Sequence, residues 1–424
     1  MDSGAVGTLI GRRLDRLRSG VSSAAVVGSG GWRGNQHDQA RALADAMGGV
    51  VVGGDLGSVV VLEASFEMPI AIDRLAALPY PIEPRAPLVC LDLETTGLAT
   101  AAGTLAFLVG VGVWREGSLR LHQLLLPDHS SERALLEALG SILPAKGWLI
   151  TYNGKCFDWP LLTARFRLQR RDPPPFAGHL DLLPLARQLW KHRLGGARLA
   201  IVEQALCGVE RDDDLPGYLI PERYFAYLRS RDADLLRRIV EHNRQDIVSL
   251  ARLLGVLAEQ VANPDAWPDA HPGDLFGLAR AYARRQRPAE ALRVVEAGLS
   301  AHAWSRGVES GAQLHRRMSA ERARLLARLG RKQEAHVAWL GICRRSGPGA
   351  GLAWLHVARY REHAERDITG ALDACQQAAI IAGRARAWGE PLLGVERDLE
   401  RRLPRLRRLA FRRRPISRGL GRAA

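Results

Sequence analysis

Apolar residues follow three rhythms along this chain. Between 88 and 126 they come in short β-branched and Leu-rich runs broken by turns. This pattern predicts strands over 88–96, 104–114 and 118–126, with "REGS" turning the second into the third. A helical period follows over 131–143, opened by Ser130 or Ser131 with Glu132 in its first turn. Next come a strand in "GWLITYNG", a helix over about 156–171 and a short strand around "HLDLL". Residues 182–260 read as mainly helical, broken at "DDDLPGYLIP". Three closely linked strands followed by helix–strand–helix–strand predict an antiparallel meander extended by parallel strands: an α/β mixed sheet with helices on its faces.

The flanks read differently. The first twenty residues carry Leu, Ile and Arg at the spacing of a short amphipathic helix, and the Gly/Ser-rich stretch to 36 predicts poor order. "DQARALADAMGG" predicts a helix and "VVVGGDLGSVVVLEAS" a hairpin around a Gly-Asp turn. The Pro-rich "LPYPIEPRAP" (78–87) reads as a linker. Beyond "NPDAWPDAHPG" (263–273), Ala and Leu recur in helix–turn–helix outlines around 278–299, 323–343 and 353–379. Aligning Ala291, Ala335 and Ala371 gives steps near the period of tetratricopeptide repeats, and an ordinary helical bundle is the competing reading. The expected organisation is therefore an N-terminal region over 1–85, partly disordered with short helices and a hairpin. An α/β domain follows over 86–261, an all-α repeat domain over 262–400, and an Arg-rich tail over 401–424.

Composition narrows the class. At 424 residues with 47% hydrophobic content the chain can bury several cores. Its longest apolar run, "GTLAFLVGVGVW", is too short to span a bilayer. The N-terminus has no apolar core of signal-peptide type, and five dispersed cysteines suggest neither a disulfide frame nor a zinc knuckle, so a cytoplasmic protein is expected. The net charge of +15 is unevenly placed. Residues 86–260 hold 21 Lys and Arg against 20 Asp and Glu, whereas the last 24 residues hold ten Arg and no acid. Such a tail is ordinarily a solvated charge run, and it has the means to hold phosphates without reading sequence.

Within this frame, "LVCLDLETTGL" (88–98) places two acids in a buried strand. Asp92 and Glu94 are two apart and share a face, where two carboxylates repel unless a cation lies between them. The plain alternative is a strand end facing water. Two further motifs weigh against it. "YNGKCFDWP" (152–160) leaves a strand and opens a helix with Asp158 in its first turn, and "EHNRQDIVSL" (241–250) puts His242 and Asp246 on one helical face. Four carboxylates arranged on one sheet and its flanking helix suit Mg²⁺ or Mn²⁺ as hard oxygen donors. Two such ions activate a water and stabilise the leaving oxygen of a phosphodiester. An imidazole at 242 has the chemistry to orient or deprotonate that water.

D-x-E-T-T-G, then N-x3-F-D, then a His just ahead of a final Asp resembles the motifs of the DEDD 3′–5′ exonucleases of the RNase H-like superfamily. The wording "DLETTGL…GTLAFLVGVG", "HLDLLPLARQLWKHRL", "DLPGYLIPERY" and "HNRQDIVSLARLL" is similar to the YprB-like predicted exonucleases, which join such a domain to tetratricopeptide repeats. The resemblance implies metal binding by Asp92, Glu94, Asp158 and Asp246, and strand-end contacts from Thr95 and Asn153. His242 stands four before Asp246, the spacing those families use with Tyr rather than His, so a water-orienting role competes with a helix-face contact. Asp181 is a second-tier candidate, with a helix cap as its plain reading. Arg165, Arg167, Arg170, Arg171, Arg187, Lys191, Arg193 and Arg198 are phosphate-contact candidates that read equally as a solvated face.

The expected activity is metal-dependent 3′–5′ hydrolysis of single-stranded DNA or RNA, with a protein partner for the repeats and no membrane. The competing expectation is a catalytically silent nucleic-acid-binding scaffold. Nothing in the sequence separates ribose from deoxyribose.

Overall fold

A computed structural model describes residues 30–413, except 55, 81, 84–85, 98–102, 212–214, 264–266, 268, 302–303, 305–310 and 345–347. The amphipathic helix and the poorly ordered segment expected near the N-terminus lie largely outside these residues. The chain divides into two compact units, Met1–Pro264 and Asp265–Ala424.

The first unit opens with helix α1 (Gly30–Met47) and the strands β1 (Val50–Gly54) and β2 (Gly57–Glu67). After the Pro-rich stretch come β3 (Leu88–Thr95), β4 (Ala106–Arg115) and β5 (Ser118–Leu125). Helix α2 (Glu132–Ile142), β6 (Trp148–Thr151), α3 (Asp158–Leu168) and β7 (Gly178–Asp181) follow. Then come α4 (Leu182–Leu189), α5 (Lys191–Leu194), α6 (Leu199–Cys207), α7 (Ile220–Ser230) and the long α8 (Asp234–Ala262). The seven strands form one sheet in the order β1-β2-β5-β4-β3-β6-β7. The meander β3-β4-β5 is antiparallel, and β6 and β7 add parallel to β3. The expected hairpin forms and pairs through β2 with β5, so residues before 85 contribute two strands to the same sheet.

A central strand covered on both faces reads as a continuous apolar run rather than an alternating one. This is why β3 looked wholly buried in sequence, and seven of its eight residues are buried. Helix α8 covers one face. Its stripe Leu236, Ile239, Asn243, Ile247, Leu250, Leu254, Leu257 and Val261 recurs at helical spacing, and every member is buried. Two glycines let it approach. A Cβ on Gly110 would lie 2.3 Å from Asn243 Oδ1, and one on Gly112 would lie 2.8 Å from Ile247 Cγ2. The glycines interrupting "LVGVGVW" are thus the floor on which α8 rests. They place residues 242–247 over β3 and β4.

The second unit pairs helices α9 (Pro272–Arg284) with α10 (Pro288–Leu299), α11 (Gly311–Arg328) with α12 (Lys332–Cys343), and α13 (Pro348–Tyr360) with α14 (Ile368–Ala387), and ends in α15 (Leu393–Arg413). Ala291, Ala335 and Ala371 each lie in the second helix of a pair and are buried, where a small side chain lets neighbouring helices meet. The pairs fit a repeat domain. Among the described residues no helix is long and apolar enough to cross a membrane.

The expected tail over 401–424 is corrected for its first half. Residues 401–413 continue α15, with Leu399 and Leu406 buried in the helical core and Leu403, Leu409 and Ala410 packed against it. Arg402 donates to Glu362 Oε2 at 2.8 Å and Arg405 pairs with the same carboxylate, whose side chain is 4% exposed. Ending the chain at 400 is therefore expected to destabilise the helical unit. Loss of Leu406 alone is worth about 2–5 kcal/mol by analogy with buried Leu→Ala changes. A buried Glu362 stripped of both partners adds to that loss. Calorimetry of the full and shortened chains checks this, and an unchanged unfolding transition would mean α15 does not belong to the core.

Candidate active site

The site forms at the carboxyl ends of the parallel strands, where crossover connections leave a crevice. At the end of β3 a register shift between Glu94 and Thr95 bends the strand. Asp92, Leu93, Glu94 and Thr95 form one wall of a cleft of about 200 Å³. His242 and Asp246 of α8 form another, and Phe157, Gly217, Ile220 and Pro221 complete the lining. His242 Nε2 lies 4.0 Å from Glu94 Oε1 and 3.7 Å from Asp246 Oδ2.

Asp158 opens α3 and is buried, and Phe157 rather than Asp158 lines the cleft. It still belongs to the same electrostatic cluster. Burial pushes its carboxyl up to about 7, the charges of Asp181 and Asp246 push the same way, and the backbone amide at the helix start opposes them. Asp92 is held well above the usual carboxylate range by burial and then by the charges of Asp246 and Asp158, with Asn243 and Arg211 acting against this. Asp246 is raised too, chiefly by burial, against the pull of His242 and Arg211. Three neighbouring carboxyls that all resist ionisation leave a cluster short of positive charge. Their donor set is hard oxygen, which fits Mg²⁺ or Mn²⁺ and does not favour zinc.

The remaining candidates take other positions. Asp181 ends β7 and caps α4, accepting from the Leu183 amide at 3.1 Å. It also accepts from the amides of Asn153 at 2.8 Å and Lys155 at 3.2 Å, and so pins the loop that carries the chain into Asp158. Asn153 is exposed and left-handed with φ of 73°, a conformation Asn tolerates better than most residues. Thr95 is buried and donates its hydroxyl to the Gly97 carbonyl at 2.7 Å. Of the basic candidates, Arg165 is tied to the buried Glu132, its Nη2 donating to Oε2 at 2.6 Å, and Arg171 lies 3.5 Å from Glu137.

Two features went unread in the sequence. Arg211 pairs through Nε with Oε1 of Glu203, a fully buried residue, and donates from Nη2 to Asp246 Oδ1 at 2.5 Å. Gln123 and Asn243, both buried, connect to Asp92 by hydrogen bonds. No spacing rule ties residues 203 and 211 to 246, and only the fold brings them together. Arg211→Met should cost about 3–5 kcal/mol, because Glu203 is left as an unpaired buried charge. Glu203→Gln with Arg211→Met should recover part of that loss, since the buried Glu203 charge goes while Asp246 still lacks its arginine partner. Urea unfolding of the three proteins measures it, and a single variant as stable as wild type would contradict the pairing.

Comparison with known proteins agrees with this geometry. Residues 89–258 match the RNase H superfamily model RNase_H_2. The chain is 31% identical over 289 residues to the uncharacterized protein YprB of Bacillus subtilis (strain 168), covering 68% of this chain and 67% of that one. With an RNase H-like mixed sheet, a carboxylate cluster at its strand ends and a helical repeat unit behind it in sequence, the chain belongs to the YprB-like family of the RNase H superfamily.

Proposed function

We propose that this chain is a metal-dependent nuclease, a 3′–5′ exonuclease that hydrolyses phosphodiester bonds of single-stranded DNA or RNA with two Mg²⁺ or Mn²⁺ ions. The observation that carries the reading is the convergence of Asp92, Glu94, His242 and Asp246 on one small cleft, with Asp158 in the same electrostatic cluster. Asp92, Glu94, Asp158 and Asp246 would hold the ions. Bound there, divalent cations supply an activated water and stabilise the leaving oxygen. His242 Nε2, 4.0 Å from Glu94 Oε1 and 3.7 Å from Asp246 Oδ2, would orient that water and accept its proton. Phe157, Ile220 and Pro221 add apolar surface to the lining, against which a terminal sugar or base would rest.

The test uses DNA and RNA strands labelled at the 3′ or the 5′ end, with Mg²⁺, Mn²⁺ or chelator. Stepwise loss of the 3′ label that stops in chelator is the expected result. Absence of cleavage with retained strand binding would favour the silent scaffold instead. Arg397, Arg401, Arg407, Arg408 and Arg412 are exposed on α15 and form a candidate phosphate track. Changing these five to Gln leaves Leu399 and Leu406 in place. The change should flatten the salt dependence of strand binding by about 0.7 in log–log slope for each phosphate of a single strand that is no longer neutralised.

A further inference from the structure

A long helix buries its apolar stripe against a sheet, and an amide in the middle of that stripe needs every hydrogen bond it can make. Asn243 occupies that place in α8 with 0% exposure. Beneath it runs a single row across three strands, in which Asp92 of β3 pairs with Gly110 of β4, and Gly110 with Gln123 of β5. Gly110 contributes no side chain to this row, and the Asn243 amide fills the gap.

The hydrogen bonds have a forced direction. Gln123 Nε2 donates to the Val240 carbonyl at 2.8 Å, and a carbonyl can only accept. The NH₂ end of Gln123 must therefore face α8, and its second proton goes to Asn243 Oδ1 at 2.9 Å. Asn243 then has to present its own NH₂ to Asp92, donating to Oδ2 at 2.9 Å and to the Asp92 carbonyl at 3.3 Å. The Asp92 carboxylate thus receives its donor on Oδ2, and the same residue lines the cleft.

We propose that Gln123 and Asn243 form an amide relay, threaded over Gly110, that positions Asp92 for cation binding. The relay rests on the reading of Asp92 as a cation ligand. Neither amide touches the reacting atoms, so both are positioning residues. Supporting partners of metal ligands are worth about 10–100-fold in metal affinity. Gln123→Glu is the sharpest probe, because a carboxyl carries at most one proton and cannot donate to both the Val240 carbonyl and Asn243 Oδ1 as the amide does. Asn243 then turns its NH₂ toward residue 123 and its oxygen toward Asp92. Gly110→Ala reaches the same end by displacing Asn243 sterically.

The experiment titrates the full chain with Mn²⁺ by isothermal calorimetry, with thermal unfolding in chelator beside it. Gln123→Glu, Asn243→Ala and Gly110→Ala are compared with wild type and with Asp92→Asn. The expected result is a loss of Mn²⁺ affinity of about 10–100-fold in each relay variant. Turnover should fall with little change in KM, and the loss in Asp92→Asn should be larger still. If Gly110→Ala fails to fold, Gln123→Glu and Asn243→Ala still decide. Relay variants that bind Mn²⁺ within about twofold of wild type, while Asp92→Asn does not, would overturn the relay and leave the nuclease reading standing. A wild-type chain that takes up no Mn²⁺, or an Asp92→Asn chain that binds it normally, would overturn both.

Discussion

Asp92→Asn and Asp158→Asn are each expected to abolish divalent-dependent strand hydrolysis while leaving the chelated protein more stable at neutral pH than wild type. The first half follows from the proposed site, where losing one oxygen ligand misplaces an ion and the water it holds. The second half follows from the cluster's electrostatics. The Asp158 carboxyl is pushed up to about 7 in the folded chain, against an ordinary value near 3.9 once unfolded. A carboxyl raised on folding contributes stability that is fully present below about pH 4 and lost as the pH rises through about 7. Without cations, wild-type stability should therefore fall between those values. Asp158→Asn should remove much of that fall, because an amide does not ionise. Asp92 is raised by the same causes, so its Asn variant should behave alike, although Asn243 then meets an amide where it met a carboxylate. Added Mg²⁺ should stabilise wild type near pH 8 and have little effect on either variant. Thermal unfolding across pH, with and without the ion, gives both readings at once. Near-normal turnover in both variants would mean that the cluster is not the catalytic centre.

How much of this was legible in sequence depends on the range over which each cause acts. Local causes were read well. The three apolar runs from 88 to 126 became β3, β4 and β5 with ends shifted by no more than two residues, because alternation and turns are set by neighbours. Asp92 and Glu94 were visible as a charge anomaly inside a strand. The supports behind them were not. Asn243 stands beside His242 in "HNRQD" and looked like an ordinary polar helix residue, although its position in the stripe between Ile239 and Ile247 marks it as inward-facing. Glu203 and Arg211 flank "CGVE", where nothing local distinguishes a buried ion pair from a solvated loop. Nothing local in the apolar run marks Gly110, and its purpose appears only once α8 lies above it. The misread tail has a similar origin. Ten arginines without an acid marked a charge run, whereas the Leu399, Leu403, Leu406, Leu409 spacing is helical. Composition was weighed where periodicity carried the structure.

His242 carries the last expected result. If its Nε2 accepts a proton from the attacking water, His242→Ala should lower the single-turnover rate by roughly 10²–10⁴. Cation affinity should change little, since Asp92, Glu94, Asp158 and Asp246 all remain. The residue stands four before Asp246, one turn along α8, and its ring lies between the carboxylates of Glu94 and Asp246. This is the spacing at which the DEDD exonucleases that these motifs resemble carry Tyr, so His242→Tyr should recover part of the rate by holding the water through its hydroxyl. A ring that merely braced the helix face predicts small losses in both variants. Single-turnover rates of the three proteins separate the two roles. An Ala variant within about threefold of wild type would remove His242 from the proposed chemistry and leave proton transfer to solvent.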